Sequence, residues 1–175
     1  MFFGKNLYVT RSIIGLDVST SCIGVSVINM DVPIDDDGSH IVYLDRIEFK
    51  KCNSIWDKTD VVSSFFRNNL SSVNEKFKPV IFALEEPLMG FSKGMSSAKT
   101  ITTLMRFNGI VSYIGREVLG IEPTYLSAAS ARKLCGIKLL KRSVGGPQKE
   151  QVYQHMINND LKSVSWPKKK NGKEV

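Results

Sequence analysis

Ile13-Ile14-Gly15-Leu16-Asp17-Val18 is a short apolar run of strand length that ends in a carboxylate. An acid at the end of a buried strand is costly unless it is hydrated, paired or bound to a metal. Ser19-Thr20-Ser21 then turns the chain, and residues 22–29, rich in Ile and Val, read as a second strand. Residues 31–39 contain Pro33, three consecutive Asp and Gly38, and so form a loop. Residues 41–49 are a third strand. Three strands joined by short connections predict an antiparallel meander.

A second run of the same kind is Val80-Ile81-Phe82-Ala83-Leu84, nearly all apolar, as expected of a strand covered on both faces. It too ends in acids, Glu85-Glu86-Pro87. Ahead of it, residues 60–77 are apolar at 61, 62, 65, 66, 70, 73 and 77, which is helical spacing, and Pro79 stops that helix. After it comes a Gly/Ser-containing loop, and then Ser96 or Ser97 caps a helix running to about Leu119. Residues 121–126 are a fifth strand. Residues 128–134 and 149–158 are helical, separated by a flexible basic loop, Lys141-Arg142-Ser143-Val144-Gly145-Gly146. The order β-β-β-α-β-α-β-α-α predicts an α/β fold. Its five-stranded mixed sheet combines the antiparallel meander with parallel strands and is flanked by helices.

If the two acid-ended strands are neighbours, Asp17 and Glu85 project together from one edge of the sheet. Either acid alone reads better as a strand end facing solvent. The two together, with a basic segment downstream, read as a metal-ion site. Hard oxygen ligands on rigid strands suit Mg²⁺, with Mn²⁺ as a substitute. Two ions roughly 4 Å apart would activate a water and stabilise the leaving 3′ oxygen in phosphodiester hydrolysis. Glu86 is the rival of Glu85. Adjacent strand residues point to opposite faces, so only one of them faces Asp17, and the pattern leaves open which.

At 175 residues the chain is long enough for one domain with a core of its own. No apolar run approaches the roughly 18 residues of a membrane span. Cys22, Cys52 and Cys135 are odd in number and far apart, which predicts reduced thiols in a cytosol-like compartment. The formal charge is +7, and it is segregated. From Arg132 onward there are 11 Lys/Arg against 3 acids, whereas residues 1–131 hold 13 basic and 14 acidic groups. A basic surface concentrated in one segment is what a polyanion-binding protein needs, because each neutralised phosphate releases condensed counterions. The Lys168-Lys169-Lys170 run reads better as a solubilising tail.

These blocks together resemble a RuvC-type Holliday-junction resolvase with a ribonuclease H-like fold, over roughly residues 13–157. Ile14-Gly15-Leu16-Asp17 followed by Ser/Thr and Ile23-Gly24 resembles the family's first strand and turn. Phe82-Ala83-Leu84-Glu85 resembles its second motif. Ser127-Ala128-Ala129 with Arg132 resembles the segment after the fifth strand, and Lys149-Glu150-Gln151-Val152 with Gln154-His155-Met156 its Lys-led helix. The first motif alone is weak, since sugar kinases and actin-like ATPases share it. The four blocks in order are far more specific. The resemblance implies a single nuclease domain over residues 1–175, with Asp17 and Glu85 as catalytic, metal-binding acids. It favours Glu85 over Glu86. It implies Lys149 beside the scissile phosphate, although a lysine in a first helical turn can also be plain surface, opposing the helix dipole.

The same resemblance implies branched DNA, a four-way junction, as substrate. Lys141 and Arg142 would clamp the backbone without reading sequence, and Lys93 and Arg132 are further expected contacts. The family's aromatic after the second acid is Leu88 here. Phe91 either replaces it, stacking on a base for roughly 1–3 kcal/mol, or packs under its own loop. Family members are homodimers through the helix after the second acid. Here that helix, 97–119, is apolar on more than one stripe, with Gly109 and Gly115 allowing close approach; a central helix inside a monomer would read the same way. The expected compartment is the cytoplasm of a bacterium, or the DNA-containing compartment of a virus-infected or organellar host.

One departure concerns the last acids. Such resolvases finish with a helix bearing Asp-x-x-Asp, and this sequence ends Asn171-Gly172-Lys173-Glu174-Val175 without it. Asp160 is too close to the Lys149 helix to substitute, and Glu174 has no helix around it. The expectation is a truncated domain, with Trp166-Pro167 and the lysine run leading towards the missing helix. Such a chain would bind junction DNA and metal weakly and cleave poorly or not at all. A branched-DNA-binding module with an incomplete, inactive site is therefore the alternative. A third reading is an actin-like phosphotransferase, prompted by Asp17-Val18-Ser19-Thr20. It would need a second domain and further phosphate loops, beyond what 175 residues supply.

Overall fold

The two acid-ended runs lie side by side at the centre of one sheet. The computed structural model describes residues 11–33, 39–70, 75–87, 97–159, 161–162 and 164. β1 (Ser12–Val18), β2 (Cys22–Asn29) and β3 (Ile41–Glu48) form the expected antiparallel meander. β4 (Pro79–Glu85) pairs parallel with β1, and β5 (Pro123–Leu126) pairs parallel with β4. The spatial order is β3-β2-β1-β4-β5, a five-stranded mixed sheet.

The helices are α1 (Ile55–Phe65), α2 (Ala98–Leu119), α3 (Ala128–Leu134), α4 (Arg142–Gly145) and α5 (Gln148–Asn158). The first begins five residues before the expected start at residue 60, because Ser54 and Asp57 form a capping box. Ser54 Oγ accepts from the Asp57 N–H at 3.1 Å, and Asp57 Oδ2 accepts from the N–H groups of Ser54 and Asn53 at 2.9 and 2.8 Å. Such a cap contributes about 1 kcal/mol. After Phe65 the helix widens into a π turn, Phe66–Leu70. Val62, Phe66 and Leu70 are all fully buried and four residues apart. An α-helix carries a four-residue step about 40° past a full turn, and the i→i+5 pattern of the π turn takes up that drift. Ser97, not Ser96, caps α2, its Oγ accepting from Thr100 N–H at 3.2 Å. Gly120, at φ 69°, ends α2 in the left-handed conformation that glycine adopts without strain. The fifth strand starts two residues later than expected, with Pro123 as its first residue.

The core lies on one face of the sheet. Ile14, Leu16, Ile23, Val25, Phe82 and Leu84 point into it, and α1, the π turn and α2 close it from above. Phe66 meets Phe82 edge-on at 6.5 Å between centroids, and Phe49 meets Phe107 at 5.4 Å. The expectation that β4 is covered on both faces is not met. Side chains alternate along a strand, so Phe82 and Leu84 are buried while Ile81 and Ala83 on the reverse face stay half-exposed; Val80 is exposed where the register with β1 shifts. Residues 141–146 are not an irregular loop either, since α4 makes one helical turn there.

All three cysteines are free thiols. Among the described residues no helix is long and apolar enough to cross a membrane.

Candidate active site

The register of the two parallel strands decides where the acids go. Gly15 pairs with Ala83 and Leu16 with Leu84, so the next step brings Asp17 level with Glu85. Both carboxylates sit at the same strand ends, exposed to solvent. This reduces, without removing, the burial cost that a charge on an apolar strand would otherwise carry. Across the sheet, Asp17 pairs with Gly24, and Gly24 with Arg46. A Cβ at Gly24 would stand 3.7 Å from Asp17 Cβ, so the glycine leaves the flank of that carboxylate open. Arg46 is already committed to Glu48, at 2.9 Å.

Glu85 is held well above its ordinary value by its surroundings. Partial burial of the carboxyl contributes most, followed by the negative charge of Asp17 and a hydrogen bond shared with it. Arg132 and Lys149 act in the opposite sense through their positive charge. Asp17 from β1 and Glu85 from β4 thus form a pair, with Arg132 from α3 and Lys149 from the first turn of α5 within electrostatic reach of Glu85. It is the Glu85 carboxyl, on the face shared with Asp17, that makes this pair. Lys141, the residue that opens α4, and Arg142 within it are exposed, just ahead of α5. Phe91, Lys93, Leu88, Asp160, Trp166, Lys168, Lys169, Lys170 and Glu174 lie outside the described residues.

A carboxyl whose folded pKa lies above its unfolded one adds stability only while it is protonated. That contribution is complete below pH 4.5, the unfolded glutamate value, and is lost as pH rises through the raised folded value. In EDTA, Glu85→Gln should abolish this loss and leave the variant melting above the parent at neutral pH. Thermal denaturation from pH 4 to pH 8 reads it. Parallel profiles for the two proteins would contradict the assignment of Glu85 as the strained partner.

Two buried polar residues on α2 hold the end of β4. Asn108, 3% exposed, donates from Nδ2 to the Glu85 carbonyl oxygen at 3.1 Å. Ser112 Oγ donates to the Asn108 carbonyl at 2.7 Å. On the other side, Lys58 Nζ donates to the Thr20 carbonyl at 2.7 Å and braces the turn that follows Asp17. None of these supports stands out in the sequence, although an Asn in register with Leu104, Val111 and Gly115 on the buried stripe is a signal in hindsight. Asn108→Ala leaves the Glu85 carbonyl without its donor, and should lower stability by about 1–3 kcal/mol in urea denaturation.

Sheet order, crossover helices and the carboxylate pair at the ends of the central parallel strands define an α/β fold of the ribonuclease H-like kind. Among solved structures the chain is similar to Thermus thermophilus RuvC in complex with a Holliday junction substrate. The TM-score is 0.59, with 13% identity over 90% of this chain and 83% of that one. A second Thermus thermophilus RuvC structure matches with a TM-score of 0.53 and 15% identity, over 89% of this chain and 84% of that one. No protein-family model and no curated protein sequence matches the chain. At such identities the likeness shows the shared fold.

Proposed function

We propose that the chain is a structure-selective DNA endonuclease that hydrolyses phosphodiesters at four-way junctions, using Mg²⁺ or Mn²⁺ held by Asp17 and Glu85. The observation that carries this reading is the pair of exposed carboxylates, level on adjacent parallel strands, with two cations, Arg132 and Lys149, within electrostatic reach of Glu85. The donor set fits a hard divalent ion, since it offers accessible carboxyl oxygens on two rigid strands whose crowding a bound cation would relieve. When bound, the ion supplies Lewis acidity at the scissile phosphate and activates the attacking water. Lys149 and Arg132 attract a phosphate to the pair. Lys141 and Arg142 grip the backbone further along. Junction DNA as the ligand is supported by the RuvC of similar fold that was solved with such a substrate. The outward stripe of α2, with Met105 and Tyr113 exposed around Gly109, is the surface for a two-fold dimer. Such a dimer would present two equivalent sites for two symmetric nicks.

The second reading, a junction-binding module without cleavage, also has an observation in its favour. Among the described residues no group of three or more His, Cys, Asp or Glu converges to hold a metal. A two-ion arrangement needs ligands from outside them. Incubating the protein with an end-labelled synthetic junction separates the readings. Nicks that appear with MgCl₂ or MnCl₂ and vanish with EDTA support the endonuclease. Salt-sensitive binding with no nick in either metal supports the binding module.

A further inference from the structure

Residues 123–149 contain six Lys/Arg and no Asp or Glu. Within this acid-free stretch, one turn is built unlike a surface loop. α4 has only four residues and no side-chain cap at its start, so it is far too short to hold its shape alone. Gln151 holds it. The Leu140 N–H donates to Gln151 Oε1 at 2.7 Å, and Gln151 Nε2 donates to the carbonyl oxygens of Leu140 and Gly146, both at 3.1 Å. One carboxamide thus ties down both ends of the turn. Packing is close enough that a Cβ at Gly145 would lie 2.7 Å from Gln151 Cδ. Gly146 closes the turn at φ 74° and ψ −162°, a conformation open to glycine.

What this rigid turn displays is Val144, 75% exposed, with Lys141 and Arg142 exposed just before it. Single exposed apolar residues are common and need no explanation. An apolar tip on a pinned turn, next to two cations, is a different arrangement. Cations beside an apolar tip complement a nucleic-acid strand whose phosphates are charged and whose unstacked bases are apolar on their faces. Beside the turn lies an open surface depression of about 360 Å³, with Ile137, Leu140, His155 and Asn158 in its lining. Glu150, an acid at its rim, accepts from Gln154 Nε2 at 3.0 Å.

Resting on the junction reading above, we propose that the turn 141–146 is a wedge for the branch point. Lys141 and Arg142 hold phosphates of one strand, Val144 bears against a base left unstacked there, and that base rests in the neighbouring open depression. Gln151 is the positioning residue. It lies two places beyond Lys149 on α5, about 200° round the helix, so the wedge and the carboxylate pair flank opposite sides of that helix. A helix is about 10 Å across, which is roughly three stacked bases at about 3.4 Å each. The displaced base is therefore expected two to four nucleotides from the cut.

The test uses the full chain, EDTA, and immobile four-way junctions carrying 2-aminopurine at successive positions near the branch. Binding of the parent protein should raise the fluorescence at one or two adjacent positions. Val144→Ser should lose most of that rise with its salt dependence unchanged. Gln151→Ala should lose the rise as Val144→Ser does, while the chain still melts in one cooperative transition. Lys141→Ala and Arg142→Ala should each reduce the slope of log affinity against log salt by about 1. Junction binding with no rise at any position overturns the wedge alone, as does a rise that survives Val144→Ser. A Val144→Ser variant that loses only self-association assigns the turn to a protein contact and also overturns it. Absence of salt-sensitive junction binding by the parent overturns the proposed function, and the wedge with it.

Discussion

Asp17→Asn and Glu85→Gln should each lower Mg²⁺-dependent nicking of a four-way junction by about 10²–10³-fold, the loss typical when one preorganised electrostatic partner is removed. Both substitutions keep the shape of the side chain and cancel its charge. Both positions are exposed, so neither change opens a cavity or strands a buried group. Junction affinity in EDTA should stay level or rise slightly, because a negative charge is lost beside a polyanion. Gel-resolved nicking rates at saturating enzyme, alongside a binding titration, separate the two effects. Nicking that persists at the parental rate in both variants would remove the carboxylate pair from the chemistry.

The second large effect is on stability. Gly115→Val should cost about 3 kcal/mol, the upper end of the range for overpacking a well-filled core. A Cβ at Gly115 would overlap Phe82 Cζ and lie 2.5 Å from Phe82 Cε1 and 3.0 Å from Phe66 Cε1. Neither ring can withdraw, since both are fully buried and packed edge-on against each other. For a chain of this size the loss corresponds to a melting temperature lower by about 6–12 °C. Gly109 on the same helix is the contrast. Its Cβ would meet nothing within 4 Å, so Gly109→Ala should gain about 1 kcal/mol from helix propensity. Thermal melts of both variants against the parent decide the point. Equal behaviour at the two glycines would mean that the α2 face has been placed wrongly.

These two glycines also show how far a one-dimensional reading reaches. From spacing alone, both suit the close approach of a second subunit. In the fold only Gly109 faces outward, and Gly115 receives Phe82 of its own chain. The difference lies in the rotation of α2 about its axis, which is set by Asn108, Val111 and Leu119 packing inward. Periodicity finds a stripe on a helix. It does not say which of two stripes meets the sheet when both are apolar.

The meander, the acid-ended central strands and the helix after the second acid were all legible, because each rests on a local pattern. An apolar run that stops at a carboxylate is visible without its neighbours, and so is a capping serine. The one-turn helix at 142–145 was not, since a four-residue helix has no period and exists here through the Gln151 side chain. The open reverse face of β4 escaped for a related reason. An apolar run of five residues looks the same whether one face or both are covered.

By itself, then, the sequence determined that this is an α/β chain with two strand-end carboxylates and a segregated basic segment. Residue type, spacing and charge are enough for that. Only the tertiary structure decided that Glu85 is the partner of Asp17, because the register of two parallel strands puts them level. It also decided that Arg132 and Lys149 oppose that pair while Lys141 and Arg142 belong to a separate pinned turn. Those are relations across the sheet and between helices, where distances are set by packing and by single side-chain hydrogen bonds. No local pattern encodes them.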